Sequence, residues 1–150
     1  MKIKNYLKAL SIFHMSLVVG LCIFLAFAVS QVKSFNTDTS EQHILLYMVP
    51  VFALLGYFGS QFFFKKMISG IKIMDALEEK LKKFQSASHI KYVLIEVPAF
   101  LALFTYYNSG NALPLLIALC LLAYLFVQKP SRGKVLKELP LTADEKQQLK

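Results

Sequence analysis

The chain has 150 residues, a formal net charge of +8, 56% hydrophobic residues and only 17% charged ones. Soluble domains carry roughly 45–50% apolar residues, so this composition, with a mean hydropathy of +0.51, excludes an ordinary soluble fold. Four apolar runs of roughly 20 residues each leave no room for a second globular domain, and cysteines at only Cys22 and Cys120, both inside apolar runs, exclude a disulfide framework, a zinc knuckle and a CxxC redox pair.

The first run, residues 9–32, follows Lys2, Lys4 and Lys8 and is interrupted only by His14 and a few Ser and Gln. A basic start and the sequence Ala26-Phe27-Ala28 resemble a cleavable signal, but the apolar stretch exceeds the 7–15 residues of a signal core, so it is expected to be a retained anchor. Residues 34–42 form a short polar loop, and residues 44–64 form a second run without any charge. Residues 90–108 form a third run, with Glu96 inside it and Pro98 two residues on, and residues 112–128 form a fourth, after the turn Asn108-Ser109-Gly110-Asn111. Runs apolar on every face are membrane spans, and in hydrocarbon each must be a helix. Asn111 suits the N-cap of the fourth, with Pro114 tolerated in its first turn.

Between runs two and three, residues 65–89 are helical in character. Met67, Ile71, Met74, Leu77, Leu81 and Phe84 recur in steps of three and four. Asp75 with Glu78 has capping-box spacing and predicts a new helix near Ala76. The expectation is a helical hairpin, with run two continuing to about Met74. The alternative is a bend at Ser69-Gly70 and a helix lying on the membrane. The tail, residues 131–150, is basic, and Thr142-x-x-Glu145 predicts a short capped helix that docks back on the hairpin, meets a partner or frays.

Of the Lys and Arg residues, 16 fall before run one, between runs two and three, or after run four, and only Lys33 lies on the other side. The positive-inside rule then places both termini in the cytoplasm. The expected fold is an all-α, four-span transmembrane bundle of two hairpins, with a helical cytoplasmic extension between spans two and three, in a bacterial inner membrane.

Glu96 is the residue that most requires explanation, because intramembrane acids are rare and face the bundle interior. Measured along each helix from the nearest basic residue, His14 lies about 9 Å deep, Glu96 and Tyr124 about 7.5 Å and Gln61 about 6 Å. These four form a candidate polar cluster. Ser16 and Gly20 on span one, and Ala53, Gly56 and Ser60 on span two, have the small-xxx-small spacing of close helix contacts. His14, His43 and His89 share no common depth, so no haem or other cofactor is expected. With no metal cluster, nucleophile–base pair or phosphate loop in the sequence, neither is enzymatic activity.

The stretch Ile95-Glu96-Val97-Pro98-Ala99, the NSGN turn, span four, Lys129-Pro130-Ser131 and Val135-Leu136-Lys137-Glu138-Leu139 together resemble a family of small, uncharacterised four-helix bacterial inner-membrane proteins. The resemblance implies topology and no activity. The expected role is a non-catalytic accessory or assembly subunit packing with itself or a larger inner-membrane complex. The alternative is a small transporter or channel using Glu96. Expected partners are the bilayer, including anionic lipid at the basic face, and a membrane protein or second copy. Nucleic acid is expected only as a ribosome contact.

Overall fold

The computed structural model describes residues 2–38 and 44–149. Glu41 of the expected outer loop, His43 and Lys150 lie outside them. Among the described residues the chain forms six helices: α1 (Lys2–Gln31), α2 (Ile44–Ser69), α3 (Leu77–Ser109), α4 (Ala112–Val127), α5 (Arg132–Glu138) and α6 (Ala143–Gln148). α1, α2 and α3 are each long and apolar enough to cross a membrane. α4 has 16 residues, about 24 Å against a hydrocarbon core of about 30 Å. The chain bends by 84° from α4 into α5, and the two together make a fourth candidate span by length only if the bent pair is counted as one.

α3 is the central helix, packed against α1, α2 and α4. The expected pairing of α1 with α2 in a first hairpin does not form, because α1 lies against α3 instead. Two features account for this. The link over residues 32–43 can reach about 40 Å, enough to pass a neighbouring helix. α3 also buries small residues, Ala99 and Ala102, which let partner backbones come close. On the way, Asn36 pairs with the α3–α4 turn: its amide donates to the Gly110 carbonyl (3.0 Å), and its carbonyl accepts from the Ala112 amide (2.9 Å). Gly110 has a left-handed φ of 65°, and a Cβ there would stand 2.8 Å from the Ser34 carbonyl oxygen. Both the turn and the close strand therefore require glycine. Asn111 caps α4, its side chain accepting from the Leu113 amide at 2.9 Å.

The small residues of α2 and α1 have different surroundings. Gly56 and Ser60 are buried and Ala53 half-buried; a Cβ on Gly56 would lie 2.5 Å from Pro98 Cγ and closer still to the Leu94 carbonyl oxygen. That carbonyl is the one Pro98 leaves without its helical donor, so α2 meets α3 at the proline. On α1, by contrast, Ser16 is exposed, with its hydroxyl turned to the Phe13 carbonyl of its own helix, and a Cβ on Gly20 would touch nothing within 4 Å. The expected Ser16–Gly20 contact is absent within the chain. α1 instead buries Leu10, His14, Val18, Leu21 and Ala28, the opposite side of the helix.

At the basic end the helix break falls between Ser69 and Leu77. α2 stops before Gly70 and does not continue to Met74, which is 91% exposed. Asp75 is not the N-cap of α3. Ala76 takes that position in an extended conformation, without a side-chain cap. Asp75 works inside the turn instead, its carboxylate accepting from the Lys72 amide at 3.0 Å and pairing with Lys83 at 3.1 Å. These bonds hold its carboxyl below the usual range. Ile71, Leu81 and Phe84 share one core with Val135, Leu139, Leu141 and Leu149, so the tail folds back over the α2–α3 turn. Thr142 and Glu145 form the expected capping box of α6. The same Glu145 carboxylate receives the fully buried Lys80 ammonium at 2.9 Å.

Candidate functional site

The four expected polar residues do not form one cluster. Gln61 of α2 donates from its amide to the Tyr124 hydroxyl of α4. His14 of α1, 1% exposed, lies 2.7 Å through Nε2 from the carbonyl oxygen of Leu125, the next residue along α4. A carbonyl only accepts, so Nε2 carries the proton and Nδ1 is left as a buried acceptor without a partner. The His14 ring also meets the Tyr92 ring edge-on at 4.9 Å. Glu96 bonds to none of them. It is half-buried on α3, with no hydrogen-bond or ion-pair partner among the described residues. The expected cluster of four is therefore corrected: Glu96 stands apart, and the polar contacts gather at the C-terminal end of α4.

The physical reason lies in the backbone. The last four carbonyls of a helix have no intrahelical donors, and in a chain bending by 84° at that point they need partners from elsewhere. Tyr92 donates from its hydroxyl to the Gln128 carbonyl at 3.1 Å. Lys134 donates to the carbonyls of Val127 (3.0 Å) and Lys129 (3.1 Å). Lys91 donates to the Gln128 side chain at 2.8 Å. Two cations thus sit where the α4 dipole is negative, and donors from α1, α3 and α5 converge on one helix end. The sequence reading singled out His14 but missed Tyr92, Lys91, Gln128 and Lys134. The available signal was the uncapped end of span four, followed by Pro130 and a lysine one turn into the next helix.

Beside this end lies a cavity of about 160 Å³, bounded by Phe64 and Phe84 on the apolar side and by Lys91, Lys134, Lys137 and Glu138 on the charged side. The Lys91 ammonium stands 4.7 Å from the Phe64 ring centroid, a cation–π distance. No carboxylate among the described residues lies within ion-pair distance of Lys91, Lys134 or Lys137. Burial pulls the Lys134 ammonium below the usual lysine range, while Glu138 acts in the other direction. Three lysines against one glutamate leave the cavity electropositive.

A second, apolar hollow of about 530 Å³ lies at the opposite end between Phe35 and the first half of α4, lined by Leu113, Leu116 and Leu119. Its walls offer no charged group. Among the described residues no three His, Cys, Asp or Glu side chains come together as metal ligands.

The fold and these polar contacts define an all-helical protein with three to four helices fit to span a membrane. Comparison with protein-family models, curated proteins and solved structures found no match.

Proposed function

We propose that this chain is a four-span, non-catalytic protein of a bacterial inner membrane, with both termini cytoplasmic, serving as an accessory or assembly subunit that packs with a second copy or a larger membrane complex. The observation carrying this reading is the one-sided packing of α1. Its inward side is committed to α3 and α4, while Ser16, Gly20, Ile12, Val19 and Ile23 face away from the chain. A small-residue stripe flanked by aliphatic side chains suits a further transmembrane helix. The basic cap supports the orientation, since Lys65–Lys91 and the tail carry most of the positive charge on one side.

Extraction in mild detergent, followed by light scattering and mass spectrometry, tests the reading. The expected result is a homo-oligomer or a stoichiometric membrane partner. Gly20→Leu should abolish that association without lowering the melting temperature of the isolated chain, because its Cβ meets open space. Recovery of a lone monomer from native membranes would overturn the proposal.

Glu96 supports a second reading, a small proton or ion transporter. A half-buried intramembrane carboxylate without a partner among the described residues has the character of a transport group. Flux through liposomes containing only this protein, abolished by Glu96→Gln, is the result expected from that reading.

A further inference from the structure

We propose that the cavity at the basic end is a binding site for a phosphate-bearing anion, of the kind presented by an anionic phospholipid headgroup or by a soluble phosphate. The proposal rests on the reading of the chain as membrane-spanning, which puts this cavity at the level where α3 and α4 leave the bilayer.

Three features support the assignment. Lys91, Lys134 and Lys137 reach the cavity from two helices, Lys91 from α3, and Lys134 and Lys137 from successive turns of α5. Their charges are matched only by Glu138, which is at ion-pair distance from none of them. Elsewhere at this end Lys80 is paired with Glu145, Lys82 with Glu78 and Lys83 with Asp75 and Glu79, whereas Lys91, Lys134 and Lys137 share one cavity wall without such a pair. Lys91 and Lys134 spend some of their N–H groups on neutral acceptors, a side-chain amide and two carbonyls. Those bonds fix the ammonium positions while leaving both without a carboxylate at ion-pair distance among the described residues.

The size of the cavity sets the class of ligand. At about 160 Å³ it is well below the roughly 300–1,000 Å³ of pockets for whole small molecules, so it suits a single anionic group. Ser88 on the wall adds a hydroxyl, and Phe64 and Phe84 provide an apolar side. Phosphate oxygens accept charge-assisted hydrogen bonds from several ammonium groups at once. Basic pockets between transmembrane helices on the cytoplasmic side are suited to lipid headgroups for the same reason.

The test compares two variants with the same net charge. Lys137→Gln changes the cavity, while Lys82→Gln changes an exposed lysine outside it, 62% accessible. Neither side chain makes a tertiary hydrogen bond among the described residues, so both variants should melt with the wild type. The full chain is reconstituted in nanodiscs of phosphatidylcholine doped with phosphatidylglycerol, and retained lipid is counted by native mass spectrometry. Incorporation into the nanodiscs is scored first and separately, because failure there bears on the membrane reading and not on the site. The wild type and Lys82→Gln should retain phosphatidylglycerol selectively, and Lys137→Gln should bind it about five-fold more weakly. Lys91→Gln with Lys137→Gln should remove selectivity. In a parallel arm, inorganic phosphate is titrated into detergent-solubilised protein. Binding there that is weakened by Lys137→Gln, with no lipid selectivity, assigns the site to a soluble phosphate. Equal effects of Lys137→Gln and Lys82→Gln in both arms, or no retention of either anion by incorporated wild-type protein, would overturn the proposal.

Discussion

At the residue scale, Gly56 and Gly59 make opposite use of the same side chain. Both lie on α2 within the apolar run, yet a Cβ on Gly56 would overlap the Leu94 carbonyl and Pro98, whereas one on Gly59 would meet nothing within 4 Å. The obstacle at Gly56 is backbone and a rigid ring, neither of which can swing aside. Gly56→Val should therefore separate α2 from α3 and cost about 1–3 kcal/mol through overpacking, and Gly59→Val should be close to neutral. Thermal or detergent-denaturant unfolding of both variants checks the contrast, and equal melting temperatures would show that α2 does not approach Pro98. His14 works by a different means. Its ring serves a carbonyl that lies just before α4 bends away, and it orients α1 so that the small residues Ser16 and Gly20 face outward.

At the element scale, the tail is docked by burial and by one ion pair. Leu139, Leu141 and Leu149 enter the core under the α2–α3 turn, and Glu145 both caps α6 and pairs with Lys80. Burial pushes the Glu145 carboxyl up, but the Lys80 ammonium and the Thr142 amide outweigh it and hold the carboxyl below the usual range. A carboxylate depressed on folding stabilises the docked state above its unfolded pKa of about 4.3, and the contribution is lost as pH falls through the folded value. Asp75, depressed first by the Lys72 amide and then by Lys83, acts in the same direction. The tail should thus be protected at pH 7 and lose protection progressively as acid takes the pH below the free-carboxylate range. Hydrogen exchange across residues 132–149 reads this out. In Glu145→Gln that protection should already be reduced at pH 7 and should change less with acid, while unchanged protection at pH 7 would show that the apolar contacts alone hold the tail.

At the scale of the whole molecule, the charge asymmetry makes a claim about sidedness. In a Cys22→Ser, Cys120→Ser background, new cysteines at Thr37 or Ser109 should react with an impermeant thiol reagent on intact cells. Cysteines at Gln85 or Ser131 should react only after lysis. The reverse pattern would invert the orientation and move the lysine cavity to the outer face. The fold places these positions in pairs at the two ends. The loop before Asp38 is bonded to the α3–α4 turn, and the tail is packed under the α2–α3 turn, so each pair should label together.

The sequence alone determined the membrane character, the helical class, the approximate limits of the long helices, the Asn111 cap and the Thr142–Glu145 box. Each of these follows from composition or from residues within one turn of each other, where hydrophobic length and backbone capping act locally. It also brought His14, Gln61 and Tyr124 into view, since depth along a helix can be counted. Only the tertiary structure decided which of them meet. Depth says nothing about azimuth, and azimuth is set when three helices settle on α3 at once. For the same reason the first hairpin dissolved: a long link does not compel neighbours in sequence to pack, and the close approach at Pro98 favoured α2 on α3. The helix end that gathers Tyr92, Lys91 and Lys134 was legible only in part. Pro130 marks where α4 stops, but which donors serve its last carbonyls depends on how the chain bends into α5 and on which faces of α1 and α3 lie beside it.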